Sequence, residues 1–326
     1  NENWIEVDDI EMNAFFGILF ASGLLHLQKR SLAQLWAQNS AFSIPIFSAT
    51  FSRERFKKIF KCIRFDDFRS RKEIIEKTRC KLTAVKQITD IFSENLKKNY
   101  IPSNYLTIDE QLVSFRGRVP FKVYMPSKPA KYGIKLWLIS DCENYYCYNF
   151  QVYCGKGETR EVNQGLRIVR DLTTGLMGGR GIITDNFFTS FKAAEALLEY
   201  RQMTLLGTMR KNKPEIPSVL LPSKSKEIFS STFVFHERGI SMVSYVPKKN
   251  KAVILLSSEH STPEISNDED KKPEIIIDYN QKKCAVDILD KMVNEYTSKR
   301  GTRRWTLILF ENYLEVSSKQ KMSFKK

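Results

Sequence analysis

The stretch RGIITDNFFTSFKAAEALLEYRQMTLLGTMR, residues 180–210, decides the fold. Its opening, RGIITD, is an apolar, β-branched run that reads as a buried strand, FKAAEALLEYR has the spacing of an amphipathic helix, and MTLLGTMR reads as a second strand. Ser190 stands directly before the helix, where a serine caps the first turn. Strand, helix and strand in such close succession favour a parallel pair in one sheet. Asp185 sits where the first of these strands ends.

Upstream, YLTIDEQLVSF, YGIKLWLISD and YYCYNFQVYCG are three strands, the last two joined tightly at DCEN, which predicts an antiparallel meander. VNQGLRIVRDLTTGLM is helical. The order β-β-β-α-β-α-β predicts an α/β fold with an RNase H-like sheet, in which the first strand is central and the strand after the first helix lies beside it. Asp109 on the first strand and Asp185 would then share one end of the sheet. Residues 213–272 carry proline, serine, the short strands TFVFHERG, SMVSYV and AVILLSS, and the acidic loop SNDED, and read as a β-rich insertion. Beyond it PEIIIDYN reads as extended. KKCAVDILDKMVNEY reads as a helix with an apolar stripe of Val286, Leu289 and Val293, and Asp287 and Asp290 are spaced to share one of its faces.

From Asp9 to about Tyr100 the period is helical, with Ser31 and Ser52 as candidate N-caps. The longest apolar run, AFFGILFASGLL at 14–25, is shorter than the roughly 20 residues of a span and reads as a buried helix. Lysine and arginine number 52 against 37 acids, a net charge of +15, which points to a polyanionic partner: nucleic acid most simply, with an anionic membrane matching the charge equally well. Six cysteines lie scattered without a C-x-x-C pair and histidines number three, a composition that disfavours a zinc site, a disulfide framework or a Ser-His-Asp enzyme.

Clustered carboxylates repel one another, and either protonation or a divalent cation relieves the repulsion. Oxygen ligands with few histidines favour Mg²⁺ or Mn²⁺. Two such ions about 4 Å apart suit in-line attack on a phosphodiester. Asp109 and Asp185 are candidate catalytic and metal-binding residues, and Asp287 and Asp290 make a third carboxylate available. Three of these acids have an ordinary alternative, Asp185 as a cap of the next turn and Asp287 and Asp290 as exposed helix acids, and Phe187 and Phe188 read as core or lid aromatics.

These residues stand in longer strings that resemble the piggyBac-type transposases. TIDEQLVSFRGRVPFKVYMPSKPAKYGIKLWLISD (107–141) resembles that family's first catalytic block, TDNFFTS with LLGTMRKNKPEIP (184–217) the second, and DYNQKKCAVDILDKM with SKRGTRRW (278–305) the third. The resemblance implies a triad of Asp109, Asp185 and Asp287, with Asp290 as a fourth acid. It also implies cut-and-paste DNA transposition through hairpinned ends, integration at TTAA, and an RNase H-like core flanked by an α-helical dimerisation and DNA-binding domain. The segments are then 1–103 helical domain, 104–212 core, 213–272 insertion, 273–297 last strand and helix of the core, and 298–326 the helical domain again. This last part is expected to be truncated and to lack the family's cysteine-rich zinc-binding tail. Phe187 stands where the family commonly has tryptophan, Cys284 and Ala285 where it has a pair of glycines, and Gly301 and Thr306 also depart from its pattern.

Between Gln111 and Ser140 there are six basic residues and no acid. Of these Arg116, Arg118, Lys128, Lys131 and Lys135 are candidate DNA contacts, or else a solvated loop. Asn186, Arg210, Lys211, Lys213, Lys299, Arg300, Arg303 and Arg304 join them, and Trp305 is either a base-stacking group or a core anchor. The expected partners are double-stranded DNA, as transposon ends and target, and a second copy of the chain, with neither membrane nor small-molecule substrate. A nuclear location follows from the DNA. Three functions compete: an active metal-dependent transposase, a domesticated DNA-binding or chromatin-associated protein without cleavage, and a host nuclease of the same fold.

Overall fold

The chain is described by a computed structural model covering residues 4–38, 43–157 and 161–323. In chain order the helices α1 (Asp9–Leu24), α2 (Leu32–Leu35), α3 (Pro45–Thr50), α4 (Arg53–Cys62), α5 (Arg71–Thr78) and α6 (Lys86–Lys98) come first. Strands β1 (Tyr105–Ser114), β2 (Val123–Tyr124), β3 (Tyr132–Asp141) and β4 (Cys147–Val152) follow. Next come α7 (Gln164–Leu172), β5 (Gly181–Thr184), α8 (Phe191–Arg201) and β6 (Thr204–Thr208). Then come β7 (Ser231–His236), β8 (Ile240–Lys248) and β9 (Lys251–Ser257), and last α9 (Glu274–Lys282), α10 (Ala285–Glu295) and α11 (Trp305–Ser323). None of the described helices is long and apolar enough to cross a membrane.

The chain forms two compact units. One comprises Asn1–Phe92, Val113–Lys122 and Lys291–Lys326, the other Ser93–Leu112 and Val123–Asp290. In the first, Asp8, Ser31 and Ser52 cap α1, α2 and α4 through their side-chain oxygens. Phe15, Ile18 and Leu19 of α1 close on Leu35, Phe47, Phe56 and Ile59 in an apolar core. Segment 113–122, expected in the catalytic core, clusters with this helical unit instead. Its apolar anchors explain why: Phe115 and Phe121 are buried, and Phe121 meets Trp305 edge to face at 5.4 Å. The boundary on the C-terminal side falls between residues 290 and 291 rather than after 297. Residues 324–326, at the end of the last expected segment, lie outside the described residues.

The second unit is built on one sheet of order β2-β3-β1-β5-β6-β9-β8-β7, with β4 paired to β3. β1, β5 and β6 are parallel neighbours and β3 and β4 antiparallel, as the strand–helix–strand pattern and the tight DCEN turn predict. Sequence reading missed β2, whose two residues pair with β3 in a hairpin. The insertion strands extend the same sheet: β9 pairs antiparallel with β6, and β8 and β7 follow outward. α7 and α8 cover the parallel strands, burying Ile168, Val169, Ala193, Ala194 and Leu197 against Leu106, Ile108, Ile182 and Leu205.

One element differs in kind. PEIIIDYN, expected as the last strand of the core, forms α9, so segment 273–297 holds two helices and no strand. Its β-branched run suits a strand locally. Ile275, Ile276 and Tyr279, however, fall on one helical face and pack against Ile183, Leu206, Val243 and Leu255 of the sheet, and that burial decides the conformation.

Candidate active site

Ile108 on β1 is paired in register with Thr184 on β5, so the following residues, Asp109 and Asp185, emerge side by side where the pairing ends. The chain then turns sharply. Phe188 and Thr189 donate their N–H groups to the Asp185 carbonyl at 3.2 and 3.0 Å, and Phe187 N–H donates to Asp185 Oδ1 at 2.8 Å. The Thr184 and Thr189 hydroxyls meet at 2.7 Å beneath the turn. Asp185 thus caps its own turn, the ordinary alternative weighed for it, and also stands beside Asp109. Gly165 on α7 permits the close approach of this segment, since a Cβ there would lie 2.5 Å from the Phe187 carbonyl oxygen.

Asp109 and Asp185 are joined by a residue that sequence reading passed over. Carboxylate oxygens of Asp109, Glu110 and Asp185 all lie within 4.8 Å of one another. Glu110 is half-buried, as its two neighbours in the cluster are. Strand alternation sends consecutive side chains to opposite faces, which argues against pairing Glu110 with Asp109. The signal present in the sequence was the adjacent D-E pair in TIDEQ.

Burial pushes the Asp109 carboxyl up to about 7, and the charges of Glu110 and Asp185 add to the shift while Lys128 opposes it. Burial likewise raises Glu110, with Asp185 contributing, and raises Asp185 against the hydrogen bonds of its turn. Three oxygen donors crowded in this way match a hard divalent cation, whose charge relieves both the desolvation and the repulsion.

Asp287 borders the same cleft, a cavity of about 170 Å³ lined also by Asp109, Asp185, Tyr279 and Cys284. It is exposed, and its Oδ1 lies 3.5 Å from Lys128 Nζ rather than within the carboxylate cluster. Asp290, one turn further along α10, accepts a hydrogen bond from Gln111 Nε2 at 3.0 Å. Tyr279 is half-buried beside them, and burial together with the two aspartates raises its phenol.

The basic residues divide into two sorts. Around the acids, Arg210 Nε donates to Asn186 Oδ1 at 2.7 Å, Lys213 Nζ donates to the Thr189 carbonyl at 2.7 Å, and Lys211 is exposed next to them. Asn186, Arg210 and Lys213 line a groove of about 1210 Å³ with Tyr153, Phe187 and Lys192. Lys131 is exposed in the turn before β3, while Lys135 is half-buried.

In the helical unit, Arg116, Arg118 and Arg303 are exposed, but three of the expected DNA contacts are engaged within the protein. Lys299 Nζ lies 2.9 Å from Glu315 Oε2 and 2.9 Å from Asn312 Oδ1. Arg300 donates to the Arg30 carbonyl, and Arg304 donates to the carbonyls of Phe60, Lys61 and Ile63. Trp305 is half-buried and meets Phe121 edge to face.

The family model described as "Transposase IS4" matches residues 1–318. The chain is 26% identical over 317 residues to the human PiggyBac transposable element-derived protein 3, covering 90% of this chain and 51% of that protein. The human Chimeric ERCC6-PGBD3 protein matches at the same identity over 29% of its length. Among solved structures, the piggyBac transposase in a synaptic complex with hairpin DNA superposes with a TM-score of 0.91 at 36% identity, over 98% of this chain and 66% of that one. The chain therefore spans about half the length of the first of these relatives and about two thirds of the solved transposase. A model matched along nearly the whole chain, together with a fold shared at this level, establishes that the chain belongs to the transposase family, and within it to the piggyBac type.

Proposed function

We propose that this chain carries the catalytic centre of a DNA transposase that cuts and joins phosphodiester bonds at transposon ends, with Asp109, Asp185 and Asp287 as its acids and Asp290 in support. The observation that carries this reading is the convergence of Asp109, Glu110 and Asp185 at the end of the β1–β5 pairing. When bound there, Mg²⁺ or Mn²⁺, as two ions, supplies Lewis-acid activation of the attacking oxygen and charge stabilisation of the leaving one. The chain's own residues bind and orient. Asp185, fixed by its turn, and Asp109, fixed by strand register, hold their oxygens in place before any substrate arrives. Asp287 completes the set by leaving Lys128, whose ammonium is then released toward a phosphate. Arg210, Lys211 and Lys213 and the groove beside Phe187 form a cationic track along which the DNA backbone is held.

By family, the substrate is a hairpinned transposon end and the target TTAA. Two protomers bring two ends together through the helical unit, in the nucleus. A second reading is favoured by the name of the human relative, a transposable element-derived protein: a domesticated DNA-binding protein that no longer cleaves. Single Asp→Asn changes at 109, 185 and 287 distinguish the two. Each is expected to lower metal-dependent nicking of a pre-formed end by orders of magnitude while DNA affinity in EDTA stays within a few fold. Full cleavage by Asp185→Asn would refute the site, and an unmutated chain inert with both metals would favour the domesticated reading.

A further inference from the structure

Lys135 projects from β3 into a cage of aromatic rings. Its Nζ lies 4.9 Å from the ring centre of Trp137, 4.9 Å from Tyr153 and 5.6 Å from Phe187. Ring faces attract a cation through their quadrupole and leave its N–H donors free for other partners. The Arg210 guanidinium also stands 5.8 Å from the centre of the Phe187 ring while it bonds Asn186. The cage therefore keeps an ammonium group at a fixed place beside the turn that carries Asp185.

The charges that face Lys135 are those of the acidic cluster. Burial disfavours its ammonium form, and Glu110 and Asp185 favour it. In return Lys135 eases the ionisation of both carboxylates. Lys128, which also faces Asp109 and Glu110, is tied to Asp287, and Arg210 is tied to Asn186. Lys135 Nζ sits over three rings, and one of them, Phe187, donates its backbone N–H to Asp185 Oδ1, so the ammonium is held beside the turn that carries that carboxylate.

We propose that Lys135 is a positioning residue that acts as the built-in counter-cation of the Asp109–Glu110–Asp185 cluster and thereby weakens the cluster's hold on divalent metal until DNA is present. A fixed positive charge facing the carboxylates repels an entering divalent ion twice as strongly as it would a monovalent one. A DNA phosphate brought to the ammonium offsets that repulsion, so metal loading and DNA binding reinforce each other. This inference rests on the metal-binding reading of the cluster. It differs from a plain phosphate contact, for which loss of Lys135 would weaken DNA binding and leave metal affinity as it was.

The test is a Mn²⁺ titration of the full chain without DNA, followed by electron paramagnetic resonance, on the unmutated protein, Lys135→Met and Lys135→Arg. Lys135→Met is expected to bind Mn²⁺ at least about fivefold more tightly, and Lys135→Arg to stay within about twofold of the unmutated chain. Near-ultraviolet circular dichroism of Trp137 and its neighbours reports whether the cage is intact in each variant. Unchanged or weaker binding by Lys135→Met overturns the inference while leaving the metal site standing. Equal tightening by Lys135→Arg also overturns it, by assigning the effect to packing rather than charge. Failure of both the unmutated chain and Lys135→Met to bind Mn²⁺ overturns the metal reading and the inference with it.

Discussion

Lys128 Nζ stands 3.5 Å from Asp287 Oδ1, and this pair ties the hairpin between β2 and β3 to the first turn of α10. Asp287 is 64% exposed, so the pair is screened and contributes little to stability, on the order of 1 kcal/mol or less. Lys128→Ala is therefore expected to leave the denaturant midpoint nearly unchanged. If Lys128 moves onto a phosphate in the DNA complex, the same change lowers the slope of log K against log salt by about 0.9. Fluorescence anisotropy across a salt series reads it, and an unaltered slope removes Lys128 from the DNA surface.

Glu110→Gln tests the residue that strand alternation hides. The substitution keeps shape and removes one of three crowded charges. Divalent-metal affinity is expected to fall about tenfold or more, as befits the loss of a charged oxygen ligand. Because a neutral residue at 110 no longer repels Asp109 and Asp185, thermal stability without metal is expected to rise slightly. Calorimetric Mn²⁺ titration and a melting curve in EDTA check the two directions together, and unchanged metal affinity excludes Glu110 from the ligand set.

Gly207 on β6 is buried beneath the Thr184–Thr189 turn. A Cβ at 207 would collide with Thr189 Oγ1 and lie 2.5 Å from both the Thr184 carbonyl oxygen and its hydroxyl. Gly207→Ala must push that turn outward, carrying Asp185 with it. The expected cost is about 1–3 kcal/mol in urea denaturation, accompanied by a loss of metal affinity that the same change on an open surface would not cause. Equal stability of the variant would show that the turn has room to yield.

Glu311 on α11 is buried, and burial raises its carboxyl to about 8, with Lys299 and Arg300 opposing the shift and Glu315 adding to it. The unfolded chain releases this proton near 4.5 and the folded chain only near 8, so between those values the folded state holds more protons. Stability from this group is complete below 4.5 and is lost as pH rises through about 8. The slope approaches ~1.4 kcal/mol per pH unit within that window. Glu311→Gln, which imitates the protonated form, is expected to flatten the profile and to be the more stable protein at pH 8. Parallel profiles for the two would refute the assignment.

The sequence by itself determined the secondary elements whose pattern is local. Apolar strands interleaved with amphipathic helices specified the β5–α8–β6 unit, and serines at helix starts capped where capping chemistry requires them. It also determined the neighbourhood of Asp109 and Asp185, because parallel pairing of β1 with β5 leaves their ends side by side. Tertiary structure decided what depends on a partner far along the chain. PEIIIDYN is a strand by propensity and a helix by burial, since one face of α9 covers the sheet. Glu110 joins the acids although alternation opposes it. Lys299, Arg300 and Arg304 are indistinguishable from Lys211 or Arg303 as letters in a basic run, and only the fold brings Glu315, Asn312 and the carbonyls of Arg30, Phe60, Lys61 and Ile63 to their side chains. A cation's role is set by the nearest acceptor, and that acceptor is chosen by the fold.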